Sequence, residues 1–223
     1  MHGIGEKYNI VSLYHPVAAD GGTASDKLNM KGWENCDIVI TSGVAAGTMA
    51  ITLDKDTAVG GSGATALAFT TYYVTGIKVP VKSRNDIAFS AAETITATGG
   101  LSATFREDIG SHILMTDWNG TTIVDAETMT GGTSGATGVI IGAYEYEDVL
   151  IKMTAASNTF NVTATNNQTY IIPISAAMMG DGYDVLEIDM ADPSSGTVIT
   201  SVHAVLTGVR YKGYPTFISG IYD

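Results

Sequence analysis

The chain has 223 residues and a formal net charge of −12, with 45% hydrophobic and only 15% charged residues. A chain this long and this apolar buries a core without staples, so disorder is not expected. Its 11 Lys and Arg against 23 Asp and Glu argue against nucleic acid as a direct partner, because phosphate binding needs clustered cations. The single cysteine, Cys36, excludes an internal disulfide, and 26 glycines beside 5 prolines suit a sheet protein with many tight turns.

Residues 1–30 read as an N-terminal arm. In it Ile10–Tyr14 forms a short strand, His15-Pro16 ends that strand, and Ala18 to Ser25 is a small-residue linker. The opening residues show no leader pattern and no run of about 18 apolar residues follows, so neither a signal peptide nor a membrane span is expected. Cys36 stands beside Ile38-Val39-Ile40 and reads as a small core residue. Strands are expected over Asp37–Thr41 and Thr48–Asp54. In the second, Met49, Ile51 and Leu53 share one face with the period of a half-buried antiparallel strand. Gly60–Gly63 is a loop, and Leu67–Val74, rich in Phe, Thr and Tyr, is the next strand.

An internal repeat occupies the middle. Ala92-Glu93-Thr94-Ile95-Thr96, followed by Gly99-Gly100, recurs 34 residues on as Ala126-Glu127-Thr128-Met129-Thr130, followed by Gly131-Gly132. Each copy reads as strand, glycine-rich turn, strand. Between the copies, Ser111–Thr116 and Thr121–Asp125 read as strands joined across Asn119-Gly120, the strongest short hairpin signal. Two copies are too few for a solenoid. Residues 77–152 are therefore expected to form a small inserted β-unit, a barrel or hairpin. A discontinuous outer domain takes residues 31–76 and 153–211.

The outer domain resumes with strands at Phe160–Thr163 and Tyr170–Ile174, where Pro173 places the second at a sheet edge or at its own end. Over Asp184–Met190, Leu186, Ile188 and Met190 point inward while Glu187 and Asp189 point outward. Val198–Val209 is the longest strand and belongs at a sheet centre. Helix is limited to single turns at Ser175–Gly180 and near Asp26-Lys27-Leu28. A tail over residues 212–223 is rich in aromatic and aliphatic groups that must cover either their own domain or another subunit. The fold expected is all-β: an antiparallel β-sandwich, jelly-roll-like, with a small inserted β-unit.

No motif for chemistry interrupts this pattern. His2, His15, His112 and His203 have no metal-pair spacing, and His203 alternates with Val202 and Ala204 as a strand histidine does. Ser134 has Gly132 two residues before it but Ala136 two after, so the nucleophile elbow fails, as does its strand-to-helix context. The carboxylates Glu145, Glu147 and Asp148, Glu187 and Asp189, and Asp181 and Asp184 form local groups, whereas a glycosidase needs two across a cleft. Asp181-Gly182-Tyr183-Asp184 lacks the spacing of a calcium loop, and the glycine-rich loops lack the Lys-Ser/Thr ending of a phosphate loop. No catalytic residue, cofactor-binding residue, cofactor or metal ligand is expected, and the chain reads as non-enzymatic. The acidic balance serves solubility by self-repulsion or forms a face for a basic partner.

Three stretches carry a family resemblance: Met30-Lys31-Gly32-Trp33-Glu34-Asn35-Cys36; Ala66-Leu67-Ala68-Phe69-Thr70 leading into Tyr72-Tyr73; and Asp181-Gly182-Tyr183-Asp184 through Asp192-Pro193 to Gly208-Val209-Arg210-Tyr211. Over residues 28–75 and 156–211 the chain resembles small virion structural proteins of tailed bacteriophages, the capsid decoration (cement) type. The insertion resembles Gly-Thr-Ser-Gly-Ala-Thr modules of other phage structural proteins. The resemblance implies a protein made in the host cytoplasm and carried on the outer capsid surface. Its partner would be the major capsid protein, and it would form a homo-oligomer, with a trimer implied by the threefold positions such proteins occupy. Contacts are expected from the two ends: Tyr8, Ile10, Leu13 and Tyr14, and Tyr211, Tyr214, Phe217, Ile221 and Tyr222. The alternative is a tail or fibre part with a carbohydrate- or receptor-binding β-module, for which Trp118 would be the exposed knob.

Overall fold

A computed structural model describes residues 8–19, 23–24, 26–43, 47–142, 147–162, 167–193, 197–209 and 221–222. The chain divides into two compact units, one from residues 1–73 and 152–223 and one from Val74–Ile151. Both are built of antiparallel strands, and burial alternates along most of them, as successive side chains point to opposite faces of a sheet. Among the described residues no helix is long and apolar enough to cross a membrane.

The first unit is sandwich-like. One of its sheets runs β1 (Tyr8–Ala19), β17 (Val198–Val209), β4 (Trp33–Ser42), β15 (Gln168–Ser175). The other runs β14 (Thr159–Val162), β5 (Met49–Asp56), β16 (Val185–Met190), β3 (Lys27–Asn29), β18 (Ile221–Tyr222). To this second sheet β2 (Thr23–Ala24) adds beside β16 and β6 (Thr65–Ala66) beside β5. The inward side chains alternate with outward ones on every long strand: Cys36, Ile38 and Ile40; Val202, Ala204 and Leu206; Met49, Ile51 and Leu53; Ile188 and Met190 are all fully buried or nearly so. Burial pushes the Cys36 thiol far up, so it is the inert core residue its neighbours suggested. An aromatic group completes this core. Phe160 stacks on Tyr72 at 4.5 Å, meets Phe69 edge-on at 6.2 Å and lies 5.4 Å from Tyr170. The Tyr170 hydroxyl donates to Gln168 Oε1 at 2.7 Å, which satisfies its one buried polar atom.

The second unit is a closed ring of six strands, in the order β7, β10, β9, β8, β11, β12 and back to β7. These are β7 (Thr71–Lys82, entering from the first unit), β8 (Thr94–Ala97), β9 (Ser102–Asp108), β10 (His112–Thr116), β11 (Thr128–Gly131) and β12 (Thr137–Ile140). Closure follows from the pairing of Val139 with Lys82 and Ile140 with Val81, and leaves the ring without a free edge. Its interior is filled by Ile77, Val79, Ile95, Phe105, Ile113, Met115, Met129 and Ile140 among others. Then β13 (Glu147–Thr154) returns alongside β7.

Four sequence expectations give way here. Of the residues read as an N-terminal arm, 8–19 form a strand of the first unit. β1 is an integral strand with Val11 and Leu13 in the core, and it passes through His15-Pro16 by register shifts between Ser12 and Tyr14 and between Tyr14 and Val17. An edge strand tolerates proline because one side of its backbone needs no donor. Leu67–Val74 is not one strand: Leu67 and Phe69 are core residues of a connection, and β7 starts at Thr71. Lys27–Asn29 is a strand, while the turn at Ser175–Gly180 does hold a short helix, α1 (Ala176–Met179). Thr121–Asp125 is not a strand, and Asn119-Gly120 makes no hairpin. Asn119 instead pins its loop to the neighbouring hairpin: its Nδ2 donates to Gly100 O at 2.8 Å and its Oδ1 accepts from Ser102 N at 3.2 Å. Asparagine's capacity to bond backbone outweighed its turn preference.

The repeat reappears as structure, with its turns aligned differently. Ala92 and Ala126 both take positive φ, 59° and 63°. Phe105 N donates to Glu93 O and Ile140 N to Glu127 O, both at 2.9 Å. Ala97 N donates to Leu101 O, and Gly131 N to Ala136 O. Gly131 thus corresponds to Ala97 rather than Gly99, and the second turn is one residue longer. The two hairpins pair through their first strands, Thr130 opposite Thr96, which relates the copies by a local two-fold.

Candidate contact surface

Two surfaces of the first unit stand out. The first is the outer side of the edge made by β1 and β17. Tyr8 is 41% exposed and Ile10 57%, and on β17 Ile199 and Val209 are exposed to a similar degree. Register extends this surface inward. Ile10 lies opposite Val205, Val205 opposite Asp37, and Asp37 opposite Pro173; one step along, Ser12, His203, Val39 and Ile171 form the next row. Asp37 and His203 are the ionisable groups in these two rows, and burial raises the Asp37 carboxyl above its usual range.

The second surface is the outer side of the other sheet. Glu187 lies directly opposite Asp54, with Asp189 two residues along β16. Burial, then the charges of Glu187 and Asp54, hold the Asp189 carboxyl above its ordinary range. Lys27 offsets part of this, its Nζ lying 3.2 Å from Glu187 and 3.4 Å from the buried Asp56 and donating to Gly61 O at 3.1 Å. Like charges directly opposite on a sheet are destabilising, so this arrangement weakens the unit that carries it. Asp189→Asn is therefore expected to raise the melting temperature at neutral pH. The sign follows from the shift: a raised acid favours folding while protonated, and that contribution is lost as pH rises through its folded value. The gain should vanish on acidifying below the carboxylate range; a gain that persists there would remove the electrostatic cause.

A hollow of about 240 Å³ opens beside α1, lined by Met30, Met179, Asp181, Tyr183 and Asp184 among others. Lys55 closes one side of the same α1 segment, donating to Met179 O at 2.7 Å and lying 4.5 Å from the Tyr183 ring centroid.

In the second unit the buried carboxylate is Glu93. It accepts from Ser90 N at 2.6 Å, from Thr133 N and Ser134 N at 2.9 Å, and from Ser134 Oγ at 2.7 Å. Burial alone would raise its carboxyl, but these bonds to the charged form hold it down at about 2. Sequence reading missed this residue, although the repeat signalled it: Glu93 of the first copy closes the turn of the second. Glu127 of the second copy lies against Gly99 of the first, but the shorter turn there leaves Glu127 Oε2 buried and unbonded.

The expected contact residues are not one set. Tyr8 and Ile10 are exposed, Tyr14 is half-buried, and Leu13 is core at 2% exposure because its side of β1 faces the second sheet. Tyr211, Tyr214 and Phe217 lie outside the described residues. Ile221 and Tyr222 are described in backbone only, as β18 paired to Leu28 and Lys27. Trp118 is not an exposed knob. It packs half-buried against the ring's core, and its Nε1 donates to Thr121 O at 3.0 Å. Ser134, whose hydroxyl binds Glu93, serves that turn. Among the described residues no group of three His, Cys, Asp or Glu side chains is placed to hold a metal. No family model, curated protein or solved structure matches the chain.

Proposed function

We propose that this chain is a non-enzymatic virion protein of a tailed bacteriophage, a decoration protein that binds the outside of the head shell and ties neighbouring major capsid subunits together. The observation that carries the reading is where the charged groups go. Glu93 closes a turn and Arg106 bridges Thr116 and Asp117 within the second unit, and Lys27 spans Asp56 and Glu187 within the first, so these charges fasten each unit internally rather than converge on a cleft. What remains on the outside is a charge-poor edge and an acidic sheet face, the makings of protein contacts. The resemblance over residues 28–75 and 156–211 supplies the shell as partner.

Decoration works by interface burial. A standard interface hides roughly 1,600 Å² in total, and modest contacts repeated over equivalent sites resist the pressure of packed DNA. The acidic ladder of Asp54, Glu187 and Asp189 suits a basic patch on the shell. A face that carries like charges at a cost in stability fits a trade of stability for binding. Asp189→Asn should therefore bind shells more weakly while melting higher, and wild-type binding should fall with added salt. Binding indifferent to both would remove this face from the contact. Substitution is the right test at the N-terminus as well, because deleting β1 would strip Val11 and Leu13 from the core.

A further inference from the structure

We propose that the first half of β1 pairs with the same segment of a second copy of this chain, joining two sandwich-like units into one continuous sheet about a two-fold axis. β1 has one strand partner among the described residues, β17, and ends the strand order. Its two halves differ in how that edge is defended. From Leu13 onward it carries two register shifts and Pro16, devices that twist an edge away and remove a donor. From Tyr8 to Ser12 it runs in unbroken register with β17 and carries no proline, bulge or charge. A flat, uncharged edge of this kind is a template for another strand.

Charge selects the occupant. The chain has a net charge of −12, so two copies repel except along a line where neither is charged. Tyr8-Asn9-Ile10-Val11-Ser12 is such a line, and an uncharged segment meets its own copy without like-charge repulsion. A basic partner would be drawn to the Asp54–Asp189 ladder instead. Antiparallel self-pairing is isologous, and this stretch satisfies it about Ile10. Ile10 meets its own copy, Tyr8 meets Ser12 of the partner copy, and Asn9 meets Val11 of the partner copy. Ile10, now 57% exposed, becomes covered, and the rows Ile10–Val205 and Ser12–His203 continue across the axis on the same outer face.

The inference rests on β1 as a contact surface and adds its partner, a second copy in a two-fold rather than threefold arrangement. The test uses the full chain, free of shells, by sedimentation velocity at tens of micromolar, with two variants. The wild type should run at twice 23.2 kDa and Ile10→Lys at 23.2 kDa, with unchanged circular dichroism because Ile10 is exposed. Ile10→Cys should form a disulfide to its own copy on mild oxidation, since directly opposite Cβ atoms approach to about 4.5–5.5 Å. Ile199→Cys, equally exposed but out of register, should not, and Cys36 is buried and inert. A monomeric wild type, a dimer that survives Ile10→Lys, or equal cross-linking at both cysteines would overturn the second copy. If Ile10→Lys then still abolished shell binding, the contact reading would stand with another partner.

Discussion

Phe160→Ala should cost the first unit about 4 kcal/mol, within the 3–5 kcal/mol range for truncating a buried phenylalanine. Three contacts go at once: the stack on Tyr72, the edge-on meeting with Phe69 and the tilted contact with Tyr170. The site cannot collapse cheaply, because Tyr72 and Tyr170 lie on strands held in ladders and Tyr170 is tied to Gln168. Urea unfolding reports the total, and hydrogen exchange locates it: amides of β14, β5 and β15 should lose protection first. A loss below about 1 kcal/mol would mean that the ring cluster is not a centre of that core.

Glu93→Ala should destabilise the second unit by about 3 kcal/mol, because it strands several donors at once and hydrogen bonds to a charged group are worth about 1.5–3 kcal/mol each when intact and not additive. Thr133 N, Ser134 N, Ser134 Oγ and Ser90 N all lose their acceptor. Glu93→Gln, which keeps the shape and drops the charge, should fall between. The pH dependence has a definite sign. The folded carboxyl sits at about 2 against an ordinary 4.5, so its contribution is complete above about 4.5 and is lost as pH falls towards 2. Wild type and Glu93→Gln should therefore differ in melting temperature at pH 7 and converge near pH 2; a gap that stays constant would show that the carboxylate's charge contributes nothing.

The sequence made the fold class legible because period-2 alternation is local. Met49, Ile51 and Leu53, or Leu186, Ile188 and Met190, announce their inner face without reference to any partner strand. It could not reveal pairing. That β1 would close an edge beside β17, and that six strands would close a ring, are consequences of non-local register. Two local signals also misled for a physical reason. His15-Pro16 ends strands in general but is harmless on an edge, and Asn119-Gly120 found better hydrogen bonds to the neighbouring hairpin than a two-residue turn offers. Of the residues read from the sequence as contacts, Tyr8 and Ile10 are exposed and Leu13 is spent on a core, as is Trp118, read as an exposed knob. Glu93 was hidden because its partners, Thr133 and Ser134, lie 40 and 41 residues away.

The most direct test of a decoration role is the copy number of this chain in purified particles, by quantitative mass spectrometry against the major capsid protein. Hundreds of copies, near the capsomer count or a small multiple of it, are expected. A handful per particle would assign the chain to a tail or fibre, and its absence from particles would contradict a virion role altogether.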